Sequence, residues 1–132
     1  MSLSPAELIA QWCDIGAGVA RSGIKKLLLF NAHGGNAGLM DVVARELRGH
    51  AGLTVFSSHW YQLPLGAAWE AFGEHEQRFG VHGGDIETSL MLAIAPHKVR
   101  MQEAQAFHSA SQDRAAQFAL LGDGKSAKLG WH

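Results

Sequence analysis

The apolar residues near the start of the chain recur at helical spacing. Residues 4–7 read Ser-Pro-Ala-Glu, which places a serine cap, a first-turn proline and a glutamate in the order that begins a helix. Gly23 is predicted to end this helix. Cys13 lies on its apolar face, so we expect a buried side chain rather than a nucleophile. The residues predicted to face the core are Leu8, Trp12, Ile15 and Val19.

Two short apolar runs are predicted to be the strands of a sheet. Residues 27–30 show no polar alternation, which is typical of a parallel strand that is buried on both faces. The second run, residues 53–58, leads into His59-Trp60-Tyr61. The helix between the runs is predicted to turn Leu39, Met40, Val43 and Leu47 inward. The order helix–strand–helix–strand predicts a right-handed crossover and a parallel sheet, and hence the α/β class.

The second half of the chain has weaker periodicity. A short polar helix is indicated over residues 67–78, and an amphipathic stretch over 104–121 before a glycine-rich segment at 122–124. A clearer helix begins at Asp85 and ends before Pro96, with Ile86, Leu90 and Ile94 on one face. Because two parallel strands make a poor core, we expect residues 1–132 to be a single but incomplete domain.

Composition excludes several classes of protein. The chain has 132 residues, of which 47% are hydrophobic and 17% charged, as in an ordinary globular domain. A formal net charge of −1 gives no electrostatic footprint for nucleic acid. No apolar run approaches the roughly 20 residues that span a bilayer, and no signal peptide is evident. We therefore expect a cytoplasmic protein without a nucleic-acid or membrane partner.

The first segment with candidate chemistry follows the first predicted strand. Ligands of open α/β sheets bind at the carboxyl ends of the strands. Gly34 and Gly35 let the backbone turn sharply, so that His33 can project into a crevice, while Asn31 and Asn36 can hold the loop and Asn36 can cap the next helix. A tight turn in which His33 is incidental is the plainer explanation. A phosphate cradle is disfavoured, because neither G-x-G-x-x-G nor a Walker lysine is present.

The second such segment, residues 82–89, again places a histidine beside two glycines before a helix. Asp85 could cap that helix and Glu87 could complement its dipole. Alternatively, Glu87 and His82 could lie at a metal, with Glu87 as an oxygen ligand or as a partner of a ligand. Histidine and carboxylate donors together suit Zn or Mn.

Taken together, the two segments resemble the central signatures of the creatininase family. The matching patterns are N-x-H-G-G-N at 31–36 and H-G-G-x-x-E-T-S at 82–89, with further agreement at Ser58-His59-Trp60 and Ala95-Pro96. The resemblance spans roughly residues 5–132. It implies a layered α/β/α fold with a mainly parallel sheet, a homo-oligomer (often a hexamer), and two divalent metals, typically Zn or Mn.

The resemblance also implies roles for individual residues. His33 matches a metal-binding histidine, His82 matches a histidine that shuttles a proton to the cleaved nitrogen, and Glu87 is a replacement metal ligand. Trp60 matches a tryptophan that packs on the substrate, although a tryptophan at a strand end is as often a core residue. Further substrate contacts are expected from Asn31, Gly83 and Gly84.

Two departures from the family pattern affect the expected substrate and metal centre. Gly35 stands where creatininase proper has a glutamate ligand, and Arg78 stands where it has a second substrate-stacking tryptophan, which argues against creatinine. The family's Glu-x-His-Gly-x-His segment and metal-bridging aspartate do not occur, so we expect a central and C-terminal part that lacks the N-terminal segment.

The expected function is a metal-dependent amidohydrolase that acts on a small-molecule amide, whether a cyclic amide, a formamide or a small peptide-like amide. Metal-activated water would cleave the C–N bond, and the activity of the isolated chain is open. The alternative is a non-catalytic α/β domain that binds a small ligand or a partner chain. In a third hypothesis, another polypeptide supplies the missing metal ligands.

Overall fold

The structure, a computed structural model, describes residues 3–122 and has the mixed α/β composition expected of a layered fold. Its two strands are β1 (Lys26–Asn31) and β2 (Thr54–His59). The helices are α1 (Pro5–Arg21), α2 (Ala37–His50), α3 (Ala67–Glu70), α4 (Glu74–Phe79), α5 (Asp85–Ile94), α6 (Ala110–Gln117) and α7 (Ala119–Gly122). The α/β class predicted from the sequence is confirmed.

Helix α1 begins where the sequence predicts, at a reciprocal cap. The Glu7 amide donates to Ser4 Oγ at 3.3 Å, and the Ser4 amide donates to Glu7 Oε2 at 2.8 Å. The hydrogen bond from the Ser4 side chain, followed by the one from its backbone, lowers the pKa of the Glu7 carboxyl. The sequence pattern and the local structure therefore agree at this end of the chain.

The buried face of α1 differs from the prediction. Ile15 is exposed, whereas Gly16 is buried against Leu47 of α2. The prediction was wrong for Ile15 only, because Trp12 packs on the core and Leu8 and Val19 are half-buried. A small residue at position 16 allows α1 to approach α2 closely. Cys13 packs against the core as expected, and burial, with the Glu46 and Asp14 carboxylates, raises the pKa of its thiol. The residues of α1 that pack on the core are Ile9, Trp12, Cys13 and Ala20.

The strands pair in parallel, as predicted, with Lys26 opposite Thr54 and Asn31 opposite His59. Helix α2 covers one face of this pair. The core consists of buried residues from α2, from β2 and from the segment between them, and Leu27 and Leu29 of β1 pack against it. The members of the buried cluster are Val43, Ala44, Leu47, Leu53 and Val55.

The opposite face of the sheet is apolar and exposed. Leu28 and Phe30 are each 57% exposed and Phe56 is 56% exposed. The prediction that β1 is buried on both faces is therefore wrong for the described residues. In the described part of the first unit, Leu27 and Leu29 pack against the core, and alternate side chains of a strand point to opposite faces.

Residue contacts divide the chain into two compact units, Met1–Leu65 and Gly66–His132. We call their described parts, residues 3–65 and 66–122, the first and second units. The sheet and its core lie in the first unit. The expectation of one domain over residues 1–132 stays a prediction. Across residues 3–122, no helix has the length and hydrophobicity to cross a membrane.

The second unit is helical throughout its regular structure. Helices α3 and α4 replace the single helix indicated over 67–78, and α6 and α7 replace the stretch over 104–121. Helix α5 has the predicted bounds, although two residues of its predicted apolar face, Leu90 and Ile94, are exposed. Most of the glycine-rich segment predicted at 122–124 lies outside the described residues.

Candidate functional site

The carboxyl ends of β1 and β2 lie side by side and carry Asn31 and His59 as register partners. Asn31 is only 5% exposed, and both the oxygen and the nitrogen of its side-chain amide form hydrogen bonds. Its Oδ1 accepts from the His33 amide at 3.2 Å, while its Nδ2 donates to the His33 carbonyl at 2.6 Å and lies 2.8 Å from His59 Nδ1. The first candidate loop is thus anchored to the end of β2 by a buried asparagine. Whether Asn31 also contacts a substrate stays a prediction.

His33 lies on the surface of this loop, immediately before a 3-10 turn over Gly34–Asn36. Its Nδ1 accepts a hydrogen bond from the Gly35 amide at 3.2 Å. A Cβ at position 35 would lie 3.2 Å from that nitrogen, so the glycine allows the imidazole to fold back on the turn. His33 is therefore the cap of its own turn.

The side chain of Asn36 does not cap α2, contrary to the prediction. Asn36 occupies the N-cap position with helical dihedral angles, φ −87° and ψ −9°, and makes no side-chain capping bond. Its Nδ2 donates instead to Asn31 Oδ1 at 3.3 Å. The preceding 3-10 turn already places Asn36 in a helical conformation, whereas a capping side chain needs an extended one. The predicted role of Asn31 and Asn36 in holding the loop is confirmed.

Aromatic rings lie at the last residue of β2 and directly after it. The His59 ring stacks on Tyr61, with centroids 5.2 Å apart and an interplanar angle of 20°. Trp60 meets Tyr61 edge-on, with centroids 6.0 Å apart, and is half-buried. Trp60 thus lies at the same sheet end as His33, and its contact with a substrate stays a prediction. The sequence indicated His59 only as part of the family pattern and not as a site residue, although its place at a strand end was a usable signal.

The second candidate loop belongs to the second unit and turns differently from the first. Gly83 has φ +64°, a left-handed conformation that glycine adopts without strain. The Gly83 amide donates to Glu87 Oε2, and Thr88 Oγ1 donates to the Gly83 carbonyl at 3.4 Å. Glu87 therefore closes the loop onto the first turn of α5. His82 lies exposed on this loop.

Glu76 of α4, which sequence reasoning missed, caps the N-terminus of α5. Its Oε1 accepts from the Ile86 amide at 3.1 Å. A Cβ added at Gly80 or Gly84 would lie less than 3.0 Å from its carboxylate, so the two glycines form a cradle for this group. Asp85, the predicted cap, is instead the first residue of α5, and its side chain makes no hydrogen bond within residues 3–122. The capping residue comes from another helix, so no local pattern indicated it.

Arg78, the residue that departs from the family pattern, is held within the second unit. Its guanidinium donates to the Gly122 carbonyl and lies 4.8 Å from the centroid of the Phe79 ring. The side chain at this position is therefore a cation that packs on an aromatic ring.

The described residues offer few side chains that could bind a metal ion together. Between residues 3 and 122, no group of three or more histidine, cysteine, aspartate or glutamate side chains could hold a metal ion. His33 Nδ1 accepts from the Gly35 amide, and Glu87 Oε2 accepts from the Gly83 amide. His33 and Glu87 do not by themselves supply the ligands of a zinc or manganese centre, which takes four or more.

A groove of about 440 Å³ runs beside β1 in the first unit. Consecutive residues 27–32 line it, together with Asn36 and with Trp12, Ile15 and Met40 from the helices. Within residues 3–122, β1 pairs with β2 alone, so its other edge is unpaired there. Of the predicted site residues, only Asn31 lines this groove.

A comparison with protein families assigns the chain. The family model for Creatininase, described as creatinine amidohydrolase, matches residues 1–131. The chain belongs to the creatininase family. Membership in this family supports a metal-dependent, amidohydrolase-like function in general. No curated protein and no solved structure matches the chain.

Within this creatininase-family chain, the two His-Gly-Gly loops belong to different units, with His33 in the first and His82 in the second. Each loop is closed by its own local hydrogen bonds. The metal-binding and proton-shuttling roles that the resemblance implies for His33 and His82 would require both side chains to reach one hollow, and these roles stay predictions, as do those of Gly83, Gly84 and Glu87.

Proposed function

We propose that this chain takes part in the hydrolysis of the C–N bond of a small amide, whether a cyclic amide, a formamide or a peptide-like amide. The observation that carries the proposal is the ordered end of the sheet. There Asn31 holds the His33 loop and His59 together beside Trp60, in a chain that belongs to the creatininase family. In open α/β sheets, ligands bind at the carboxyl ends of the strands.

His82 is proposed to protonate the nitrogen that leaves when the amide is cleaved. An imidazole is suited to this general-acid role near neutral pH, and such a group contributes about 10²–10⁴ in rate. Support comes from its place on a loop that is fixed by Gly83 and Glu87, since a proton donor must be held in position to act. Trp60 is proposed to pack against the substrate, with Asn31, Gly83 and Gly84 as further contacts.

The metal that family membership suggests is proposed to be Zn or Mn, with His33 and Glu87 among its ligands. Since the described residues do not fit the ion alone, the remaining donors are proposed to come from outside residues 3–122 or from another chain. A homo-oligomer, which the resemblance also implies, would offer such donors. We assign no step of the reaction to the ion.

A second candidate function is a non-catalytic domain that binds a small ligand or a partner chain. It is favoured because both predicted metal ligands accept hydrogen bonds from backbone amides. His33 Nδ1 accepts from the Gly35 amide, and Glu87 Oε2 accepts from the Gly83 amide. These bonds explain both side chains as parts of loop structure.

Metal content and hydrolysis distinguish the two candidates. The purified chain would be loaded with ZnCl₂ or MnCl₂, analysed for bound metal, and assayed against a cyclic amide, an aryl formamide and a dipeptide amide. Bound metal at molar stoichiometry and turnover of one amide would support the hydrolase. If the chain binds no metal and turns over none of the amides, the result would support the binding domain.

The role of His82 is tested by substitution in the active preparation. His82→Ala is expected to keep the metal and to lower turnover at least about a hundredfold. His97→Ala is the matched control, because His97 is exposed and lies on the 3-10 turn after α5. Turnover of His82→Ala within a few-fold of the unsubstituted chain would refute the assignment.

A further inference from the structure

The geometry points to His59 as a further site residue, a neutral imidazole that presents an Nε2–H donor to the amide oxygen of a substrate, with Asn31 fixing that tautomer. The role in substrate binding rests on the proposed function. The tautomer rests on hydrogen bonds alone.

The orientation of the Asn31 amide is fixed by the His33 backbone. Its two ends contact the backbone of His33, whose N–H can only donate and whose carbonyl can only accept. The 3.2 Å contact with the His33 amide must therefore involve the oxygen of Asn31, and the 2.6 Å contact with the His33 carbonyl must involve its nitrogen. The Asn36 Nδ2, which donates to the same Asn31 oxygen at 3.3 Å, agrees with this orientation. The amide cannot turn over without opposing donors to donors.

The tautomer of His59 follows from its contact with Asn31. The amide nitrogen of Asn31 carries two hydrogens, one for the His33 carbonyl and one for His59 Nδ1 at 2.8 Å. A ring nitrogen that accepts a hydrogen bond carries no proton, so the neutral imidazole must hold its proton on Nε2. Asn31 thus excludes the Nδ1–H tautomer, and with it a neutral His59 that binds a metal through Nε2.

The Nε2–H group of His59 is held in a fixed position. The ring is held on one edge by Asn31 and on one face by Tyr61, and it is half-buried. Within residues 3–122, His59 Nε2 has no hydrogen-bond partner. A fixed N–H donor at the carboxyl end of a sheet suits the oxygen of an amide, which gains negative charge as its carbonyl carbon is attacked. His59 would bind this oxygen more tightly as the charge develops.

The tautomer is measured on the whole chain with ¹⁵N-labelled histidine. Two-bond ¹H–¹⁵N correlations at about pH 8, where a free histidine is largely neutral, distinguish a protonated from an unprotonated ring nitrogen. His59→Gln assigns the signals. We expect a protonated Nε2 and an unprotonated Nδ1 for His59, and the same pattern after addition of ZnCl₂. A protonated Nδ1, averaging between the two tautomers, or a zinc-induced change to Nδ1–H would overturn the inference.

Substitution of Asn31 tests the cause. In Asn31→Asp the carboxylate can only accept, so His59 is expected to donate from Nδ1 and its tautomer to reverse. Asn36→Ala is the matched control, because it removes one bond to Asn31 and leaves the contact with His59. An unchanged tautomer in a folded Asn31→Asp chain would contradict the assignment. If that chain fails to fold, the NMR measurement on the unsubstituted chain still tests the tautomer of His59.

Kinetics then separate this inference from the proposed function. Loss of one donor to a developing oxyanion costs about 10²–10³ in kcat, so His59→Phe is expected to lower kcat about a hundredfold with little change in KM, and His59→Gln, which keeps an N–H donor, to recover part of the loss. Equal turnover of His59→Phe would overturn the role of His59 while the hydrolase stands. No turnover in the unsubstituted chain would overturn the hydrolase and the oxygen-binding role, and the tautomer would stand on the NMR result.

Discussion

Removal of the Glu76 carboxylate is expected to destabilise the start of α5 more than removal of Asp85. Glu76 Oε1 accepts from the amide of Ile86, the second residue of α5, which is one of the donors that a helix leaves unpaired at its start. Asp85 is the first residue of the same helix and makes no such bond within residues 3–122. The pair therefore compares a carboxylate that caps α5 with one that only lies near its dipole.

The magnitude follows from these two contributions. Loss of a capping acceptor costs about 1 kcal/mol, and loss of a negative charge near a helix N-terminus costs about 0.3–1 kcal/mol. Glu76→Ala should therefore lower the free energy of unfolding by about 1–2 kcal/mol. Asp85→Ala loses only the second contribution and should cost about 0.5 kcal/mol. Glu76→Gln keeps an acceptor oxygen and should lie between them.

The glycine cradle makes the prediction sharper. A Cβ at residue 84 would lie 2.7 Å from Glu76 Oε2 and 2.8 Å from its Cδ, so Gly84→Ala should displace the carboxylate and remove the same bond. The residue has φ −78°, which alanine adopts without strain. In the Glu76→Ala background the clash is absent, and Gly84→Ala should then be close to neutral. A double-mutant cycle is expected to show a coupling of about 1 kcal/mol between the two positions.

Urea denaturation followed by circular dichroism measures the global effect, and hydrogen exchange at the Ile86 amide measures the local one. A loss of 1.4 kcal/mol should speed exchange at that amide about tenfold where local opening governs it. An Asp85→Ala chain as unstable as Glu76→Ala would refute the capping role. Strictly additive effects of Glu76→Ala and Gly84→Ala would refute the cradle.

Three further predictions follow from the packing and the backbone. Gly16→Ala should destabilise the protein by about 1–3 kcal/mol in urea, because the added Cβ would lie 2.5 Å from Leu47 Cδ1 in the core. Gly83→Ala should cost about 1–2 kcal/mol, because φ is +64° there and an L-residue with a Cβ is strained in that region. Ser4→Ala should lower the midpoint of thermal unfolding at neutral pH, and the difference should shrink as the pH falls below about 4. The folded pKa of Glu7 is depressed, so its stabilisation is present above the unfolded pKa and is lost as the pH falls through the folded one.

Each of these three substitutions has an outcome that contradicts its prediction, and the two glycine substitutions have a matched control. Gly18→Ala, on the same helix, meets only the Arg21 side chain at 3.6 Å and should be neutral or stabilising, so an equal loss for Gly16→Ala and Gly18→Ala would contradict the packing argument. Gly83→Asn should cost less than Gly83→Ala, because asparagine tolerates the left-handed region, and the reverse order would contradict the backbone argument. A Ser4→Ala deficit that stays constant from pH 7 to pH 3 would contradict the assignment to Glu7.

The elements that the sequence predicts well are those whose signals are local. The start of α1 depends on Ser4 and Glu7, three residues apart, and the parallel pairing of the strands follows from the order of elements. Ile15 was wrongly placed on the buried face of α1, because Gly16, which has no side chain to count as hydrophobic, is the residue that meets Leu47. Close approach of two helices depends on both surfaces, and the pattern of one helix contains only half of that information.

The candidate site shows the same division. The sequence indicated that Asn31 and Asn36 hold the first loop, because both lie within a few residues of His33. It did not indicate His59, which Asn31 reaches across 28 residues of chain, or Glu76, which caps a helix that begins nine residues later. These partners are brought together by strand pairing and by the packing of helices, so neither motif contains them.

The apolar strand face formed by Leu28, Phe30 and Phe56 bears on how the protein behaves in concentrated solution. Salts such as ammonium sulfate strengthen the tendency of apolar surface to be buried away from water. The edge of β1 that pairs with no strand within residues 3–122 adds backbone groups that can form hydrogen bonds with a neighbouring molecule. Self-association in sulfate would therefore begin at this patch, and Phe30→Lys should raise the salt concentration at which the protein precipitates without altering the packed side of the sheet.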